Sequence, residues 1–476
     1  MIEMNQVQSA HQDVLTYFEH WLDYRRWYLR IPGLQAAVWC AGGVRARVAL
    51  GLADVDPSRA MTTTDVFRVA SHSKTFTATA VLQLVERGRL RLDDTAGHWI
   101  SYLADGPLAT VTIRELLSHS SGLFRDGWNN DCWDALGSFP TVSELPAVLN
   151  DSHAQTLQRN QRFKYSNVGF ALLGLIVAAA SALPFNDYVR EHIIADLGLQ
   201  HSGPELDPAD SRPRVTGYSG LSSFDSRTAI EPLNTEAFSP AAGVFSTAID
   251  LVTYFSAHFI GSGRLLTDDS KRLMQQPGGL PQNDGSRYGL GMGNYRVAAR
   301  DVRGHGGGFP GQISSSLFDG EAGIAVSVLT NAIDAPAFSL SSGLFRLLDL
   351  QNAAAPASAQ PIPPNLGSIG RFANQWGVTD VVPLGNCIFI LDPTESDPAE
   401  CAMRLEPTNQ ATVMRIVEDG GSSKIGELVR FQVDAAGEAA SIIIAGSQSF
   451  RVAATANRSR HSAPPIESAS HSTGLP

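Results

Sequence analysis

Lysine is scarce in this chain: of its 36 basic residues only Lys74, Lys164, Lys271 and Lys424 are lysines, so a lysine inside a motif carries unusual weight. Basic residues are also outnumbered by 47 acidic ones, for a net charge of −11. That balance lacks the clustered cations that phosphate binding needs, and it argues against a nucleic-acid partner. Cysteine is sparse too. Cys40, Cys132, Cys387 and Cys401 lie far apart with no CxxC pair, which supports neither a zinc knuckle nor a dithiol redox site. They read as buried free thiols in a reducing compartment. No leader pattern is visible in Met1 to Arg30, where acidic and aromatic residues interrupt any apolar core, so the expected location is cytoplasmic. Long apolar runs are missing as well. The longest, Val168 to Leu183, is broken by glycines and Ser181 and falls short of the ~20 residues of a membrane span, so it reads as a buried helix. A hydrophobic content of 43% is that of a globular protein rather than a disordered chain.

What is present has two parts. Residues 34–55 alternate apolar and polar around a glycine turn, the pattern of a hairpin. A helical run begins at Ser71 and ends where Gly88 offers a left-handed cap. Further helices read at Ile113 to Ser118, Val168 to Ala182, Pro184 to Leu197 and Ala248 to His258, and late strands at Gln312 to Phe318 and Gly323 to Thr330. Strands at both ends of a helical middle imply one sheet built from both ends with helices packed against it. Near residue 351 the composition turns Pro/Ala-rich, which suits a linker. Beyond it, Cys387 to Leu391, Thr412 to Ile416, Leu428 to Val433 and Ala440 to Ile444 read as short strands of a small antiparallel barrel. The expected domains are therefore 1–350, a linker at 351–365, a barrel at 366–455 and a disordered tail at 456–476. Trp21, Leu22, Tyr24 and Trp27 read as one face of a helix packing on the body.

Three segments carry chemistry. Ser71 and Lys74 are three apart at a helix start and share a face, so the hydroxyl and the amine can meet. A serine becomes a nucleophile once a base takes its proton, and a lysine serves as that base only where burial or positive surroundings lower its pKa. This S-x-x-K spacing occurs once in the chain. Tyr165-Ser166-Asn167 precedes the buried helix; the phenol can relay protons and the amide can orient a carbonyl, while the plain alternative is a helix N-terminus closed by polar residues. Gly304-His305-Gly306-Gly307-Gly308 lets backbone run close to a ligand, or forms a flexible turn. Other schemes lack their residues. No G-x-S-x-G elbow, H-E-x-x-H, P-loop or dinucleotide fingerprint occurs, and His192 and His201 have no carboxylate at ligand spacing, so neither a metal nor a cofactor is called for.

In this order the segments resemble the serine β-lactamase and penicillin-binding-protein superfamily, in the branch of class C β-lactamases, family VIII esterases and D-amino-acid peptidases. The motifs S-x-x-K, Y-x-N and H-x-G fall on Ser71/Lys74, Tyr165/Asn167 and His305/Gly307. Connecting phrases such as LLSHSSGL, YSNVGFALLG and GHGGGFPG extend the likeness over residues 30 to 335. The resemblance implies an α/β (α+β) fold, an antiparallel sheet flanked by helices plus a helical subdomain, with a lipocalin-like barrel appended. It also implies an acyl-enzyme on Ser71 with Lys74 and Tyr165 as acid–base groups, and an oxyanion hole from the backbone N–H groups of Ser71 and Gly308. Which of Lys74 and Tyr165 is the base stays open. His305 stands where true β-lactamases have Lys. That departure turns the expectation from β-lactams to short or linear peptides, with an esterase or a non-catalytic binding protein as alternatives. The imidazole is expected to read a substrate carboxylate or carbonyl, His72 to line the pocket or support it, and His119 to be structural. The partners implied are a small peptide or ester and, since some such peptidases use the barrel to assemble, a homo-oligomer.

Overall fold

Residues 33–54 fold back on themselves because Ala41 and Gly42 accept left-handed conformations, with φ of 47° and 74°. Strand β1 (Gly33–Cys40) thereby pairs antiparallel with β2 (Gly43–Asp54). The computed structural model describes residues 11–128, 130–207, 211–221, 225–353, 370–421, 423–435 and 437–452. The expected tail at 456–476, and the expected linker apart from 351–353, lie outside them. The chain divides into two compact units: Leu29–Phe345, and a second in which helix α1 (Gln12–Tyr28) groups with the chain from Arg346 onward.

The first unit is built on an eight-stranded sheet. Its other strands are β3 (Arg59–Ala60), β4 (Arg287–Tyr288), β5 (Gly293–Val297), β6 (Arg300–Phe309), β7 (Gln312–Asp319) and β8 (Ile324–Thr330). The order is β3-β2-β1-β8-β7-β6-β5-β4, with antiparallel pairing, so the first and last long strands meet at the centre, Leu34 opposite Thr330. This is the sheet drawn from both ends that the sequence implies.

Helix α2 (Ser73–Glu86) is buried on all sides from Ser73 to Leu84. Its threonines, poor helix formers in water, fit because their hydroxyls bond backbone carbonyls: Thr75 to His72 at 2.7 Å, Thr79 to Thr75 at 2.9 Å and Thr77 to Pro240 at 2.6 Å. Helix α3 (Asn167–Ser181) is capped by Ser166, whose hydroxyl accepts from the Gly169 amide at 2.9 Å, and it ends at left-handed Ala182. Helix α4 (Ala248–Ser256) packs on β1 and β8, and its Tyr254 ring stacks on Phe76 of α2 at 3.9 Å between centroids. Each Leu, Val or Phe fully buried in these layers contributes about 1.5–3 kcal/mol. Among the described residues no single helix is long and apolar enough to cross a membrane.

Some elements differ from expectation. The helix read at Pro184 to Leu197 is interrupted by a π-helical turn at Arg190–Ile194. Helix α5 runs over Ala337–Ala353, past the start of the expected linker. Cys40, Cys132 and Cys387 are buried free thiols, but Cys401 is exposed.

In the second unit, strands β9 (Gly370–Asn374), β10 (Gly377–Leu384), β11 (Cys387–Leu391), β12 (Met403–Pro407), β13 (Val413–Asp419), β14 (Leu428–Val433), β15 (Ala439–Ile444) and β16 (Ser447–Arg451) form a closed barrel, each paired with the next and β9 with β16. Closure leaves no strand edge. Helix α1 is bound by Tyr17, whose hydroxyl donates to Asp380 at 3.1 Å, and by Arg371, which grips Asp380 through two 2.8 Å bonds with its guanidinium 4.2 Å from the Tyr24 ring centroid. These contacts explain why α1, read from sequence as part of a 1–350 domain, groups with the barrel.

Burial in the first unit holds histidines uncharged: His72 has its pKa pressed down to about 4, and His258 and His305 to about 3. An unfolded chain protonates them near 6.5, so below that pH the unfolded state binds more protons and stability falls with pH. At pH 5 each costs on the order of 2 kcal/mol. Thermal melting between pH 7.5 and 5 is expected to show a steep loss of midpoint, part of which His258→Phe removes; a flat profile contradicts the buried neutral assignment.

Candidate active site

The chain enters the site through a two-residue ladder in which Phe67 pairs with Ser246 and Arg68 with Phe245. Val69 is pinned by its amide to the Val244 carbonyl at 3.0 Å. Ala70 then takes φ of 44°, a left-handed conformation that costs a residue with a Cβ about 1–3 kcal/mol and persists only where its surroundings enforce it. The result is a 3-10 turn over Ala70–His72 ahead of α2. His72 is the first residue of that turn to donate inward, to Val69, so the Ser71 amide has no acceptor within the turn.

Lys74, three residues on, is fully buried. Its amine lies 3.2 Å from Ser71 Oγ, 2.6 Å from Asn167 Oδ1 and 2.8 Å from the Ala241 carbonyl. Burial drives its pKa well below 10.5, the nearby Arg125 pushes the same way, and Asp126 opposes both. Two of its partners are obligate acceptors and the third is a hydroxyl. The neutral amine can donate to the two carbonyls and accept from Ser71, and the ammonium can donate to all three. Tyr165 donates to Ser71 Oγ at 2.8 Å. Burial raises its pKa, so the resting group is a phenol.

The glycine segment is a strand, β6, and neither a loop nor a turn. Its first half pairs with β5 as far as Gly304; from His305 to Phe309 it pairs with β7 alone, which leaves its other edge open. A Cβ on Gly307 would fall 2.1 Å from the Val69 carbonyl oxygen, so only glycine lets this edge approach the Ser71 turn. Gly308, next along, is exposed on that edge.

His305, expected to read a substrate carboxylate or carbonyl, is engaged within the protein. Its side chain is buried, with Nδ1 2.6 Å from the Gly306 carbonyl and Nε2 2.8 Å from the Tyr288 hydroxyl. The carbonyl can only accept, so Nδ1 carries the hydrogen and Nε2 accepts from Tyr288. Both nitrogens are used and the ring stays neutral. His72 is likewise committed, Nδ1 to Val69 at 2.9 Å and Nε2 to the Ser316 hydroxyl at 2.9 Å, and it supports the turn from beneath. His119 accepts the Ser166 amide at Nδ1, 3.1 Å, and its ring lies 4.3 Å from that of Tyr165, an ordering role.

Sequence reasoning passed over Arg125 and Asp126. Asp126 is buried, and its Oδ1 takes the Asn167 amide at 2.5 Å and the Trp133 indole at 2.9 Å. The first bond fixes which end of the Asn167 amide faces Lys74. Nothing in the LFRDGW phrase marks this, because the partners lie 41 and 7 residues away. Trp128 is 68% exposed and bonded to Asp151 at 2.7 Å, Phe309 is buried, and Asn129 lies outside the described residues.

Two substitutions test this geometry. Asp126→Ala removes the acceptor that orients Asn167 and is expected to lower kcat/KM by about 10- to 100-fold, the worth of a buried charged hydrogen bond. Gly307→Ala, which sets a methyl into the Val69 carbonyl, is expected to lower both the melting temperature and activity, the latter by ~10² or more if the Gly308 amide is displaced. Wild-type kinetics in either variant contradict the arrangement.

Residues 18–340 match the family model described as Beta-lactamase. Penicillin-binding protein 4 of Amycolatopsis lactamdurans is 30% identical over 352 residues, 69% of this chain and 88% of that relative. Among solved structures, the octameric penicillin-binding protein homologue from Pyrococcus abyssi superposes with a TM-score of 0.63 at 18% identity, covering 92% of this chain and 99% of that one. A D-stereospecific amidohydrolase from Streptomyces sp. superposes with a TM-score of 0.58 at 25% identity, covering 70% and 97%. Family match and relative together establish that the chain belongs to the Beta-lactamase family, as a serine hydrolase of the β-lactamase and penicillin-binding-protein type.

Proposed function

We propose that the protein hydrolyses amide bonds of short, linear peptides through an acyl-enzyme on Ser71, with Lys74 as the base. The observation that carries this is Ser71 Oγ held between Lys74 Nζ and the Tyr165 hydroxyl. Lys74, disposed by burial to be a free amine, takes the Ser71 proton as Oγ bonds to the carbonyl carbon. The oxyanion rests on the backbone N–H groups of Ser71 and Gly308, where removing one donor costs ~10²–10³ in rate. As the C–N bond breaks, Tyr165 gives its proton to the leaving amine and regains one from the Lys74 ammonium. Water then adds across the ester, releasing the acid and restoring Ser71.

The neutral His305 supports an amide substrate over a β-lactam, since it offers no fixed cation at the third motif. The amidohydrolase likeness favours the same class. Esters are easier substrates for this machinery and form the second reading. A homo-oligomer belongs to the proposal too, supported only by the octameric homologue and checked by light scattering.

A fluorophosphonate is expected to label Ser71 and no other residue, as read by mass spectrometry. Small D- and L-peptide amides should turn over beside p-nitrophenyl butyrate, and ester turnover alone overturns the substrate claim. Activity should fall as pH drops through the Lys74 titration, because the ammonium cannot accept the Ser71 proton. With its pKa lowered, that limb lies well below 10.5. Asp126→Asn removes the charge that raises the Lys74 pKa and is expected to move the limb to lower pH, whereas His305→Gln, at a ring pressed down to about 3, leaves it in place. A limb near 10, or one unmoved in Asp126→Asn, contradicts Lys74 as the base.

A further inference from the structure

We infer that His119 is the positioning residue that fits Tyr165 to protonate poor leaving groups, so that amide turnover depends on it far more than turnover of activated esters does. This deepens the proposed function and rests on it.

His119 holds the chain on both sides of Tyr165. Its carbonyl accepts the Lys164 amide at 2.8 Å, and its Nδ1 accepts the Ser166 amide at 3.1 Å. Between those two bonds the Tyr165 ring lies against the imidazole, 4.3 Å between centroids and tilted by 36°. Ser166 is extended, with φ of −140° and ψ of 115°, and alternate amides of an extended chain point to one side, so a single residue can take both. The phenol at the end of that ring reaches Ser71 Oγ at 2.8 Å. A small rotation of the 164–166 backbone is magnified at this hydroxyl, which lies at the far end of the side chain.

Two unfavourable features mark this grip as more than packing. His119 takes φ of 56°, a left-handed conformation that a residue with a Cβ keeps only where its surroundings enforce it. It is also fully buried, and because Nδ1 accepts a backbone amide the ring hydrogen sits on Nε2, which has no hydrogen-bond partner among the described residues. Around it stand the rings of Phe163, Phe170 and Tyr288, with centroids 5.5, 5.1 and 4.8 Å away, which offer that donor at best a weak aromatic contact. A phenylalanine would fill the same aromatic space without the orphan. What the imidazole adds to a phenyl ring is the acceptor for Ser166. The consequence falls on the leaving group. An amine departs as a strongly basic anion unless it is protonated while the C–N bond breaks, whereas p-nitrophenolate leaves without a proton. Tyr165 supplies that proton, so a misplaced phenol penalises amides and spares activated esters.

The test pairs a peptide amide with the p-nitrophenyl ester of the same acyl group and reads kcat/KM, which covers the steps through acylation. His119→Phe keeps a ring and removes the acceptor, and the amide-to-ester ratio is expected to fall by about 10- to 100-fold, a share of what a placed proton donor contributes. His119→Asn keeps an acceptor and tolerates the left-handed backbone, and it is expected to hold the ratio nearer wild type. Where the phenylalanine variant does not fold, His119→Gln, whose amide sits one carbon further from the backbone, is expected to show the same selective loss. Across esters graded from p-nitrophenol to ethanol, kcat/KM of the defective variant should depend more steeply on leaving-group pKa than that of wild type. Fluorophosphonate titration of Ser71 counts competent sites, so partial unfolding lowers both substrates alike and leaves the ratio untouched. Equal losses on amide and ester, or an asparagine variant no better than the phenylalanine or glutamine one, overturns the assignment. A wild type that the fluorophosphonate does not label sinks the acyl-enzyme and the role of His119 with it. A labelled wild type that turns over esters alone sinks the amide claim, while the graded esters still decide for or against His119.

Discussion

Burial of one amine governs this structure. An ammonium in a water-free interior is costly, by several kcal/mol after relaxation, unless every proton finds an acceptor. Lys74 meets that demand with three partners, of which two are fixed acceptors and the third, Ser71, can reverse its role. The pocket therefore accommodates the lysine in both protonation states with the same three partners. A site that satisfied the ammonium with three carbonyls would have made the lysine a permanent cation, and one with fewer partners would have left a buried donor unpaired.

The remaining devices hold that arrangement in place. The left-handed turn at Ala70 throws Ser71 out of the helical path so that its amide is free while its hydroxyl still reaches the first turn of α2. Gly307 lets the open edge of β6 press against the same turn. Asp126 stops the Asn167 amide from rotating, which would turn an N–H toward Lys74 and convert an acceptor into a rival donor. Each device acts through a neighbour and never touches the reacting bond.

The layers of the fold were legible because periodicity and turn chemistry record them directly. The hairpin at 33–54, α3 and the barrel strands Cys387–Leu391 and Leu428–Val433 fall where alternation or helical spacing places them. The meeting of Ser71 and Lys74 was legible from their spacing, whereas the convergence of Tyr165 and Asn167 on them was legible only through the resemblance, since α2–α3 packing brings them together. Two things escaped. A run of glycines reads as a turn to any local rule, yet β7 on one side holds Gly304 to Gly308 extended. The state of His305 depends on Tyr288, seventeen residues away, whose hydroxyl completes a pair of bonds that a sequence cannot reveal. Composition located the helix α1 but not its allegiance, because the Asp380 that fixes it is 363 residues distant from Tyr17.

The histidines complete the electrostatic argument. His72, His119 and His305 all surround Lys74, and each has its pKa depressed by burial, with the lysine's own charge depressing His119 and His305 further. Four bases share this small volume, yet a second proton beside the Lys74 ammonium would bring like charges together at low dielectric, so the site binds one at a time. With His72 and His305 each spending both ring nitrogens on neutral partners, neither competes for the Ser71 proton when it is released. A neutral ring at His305 thus places no second cation beside Lys74, whose amine faces the Ser71 hydroxyl.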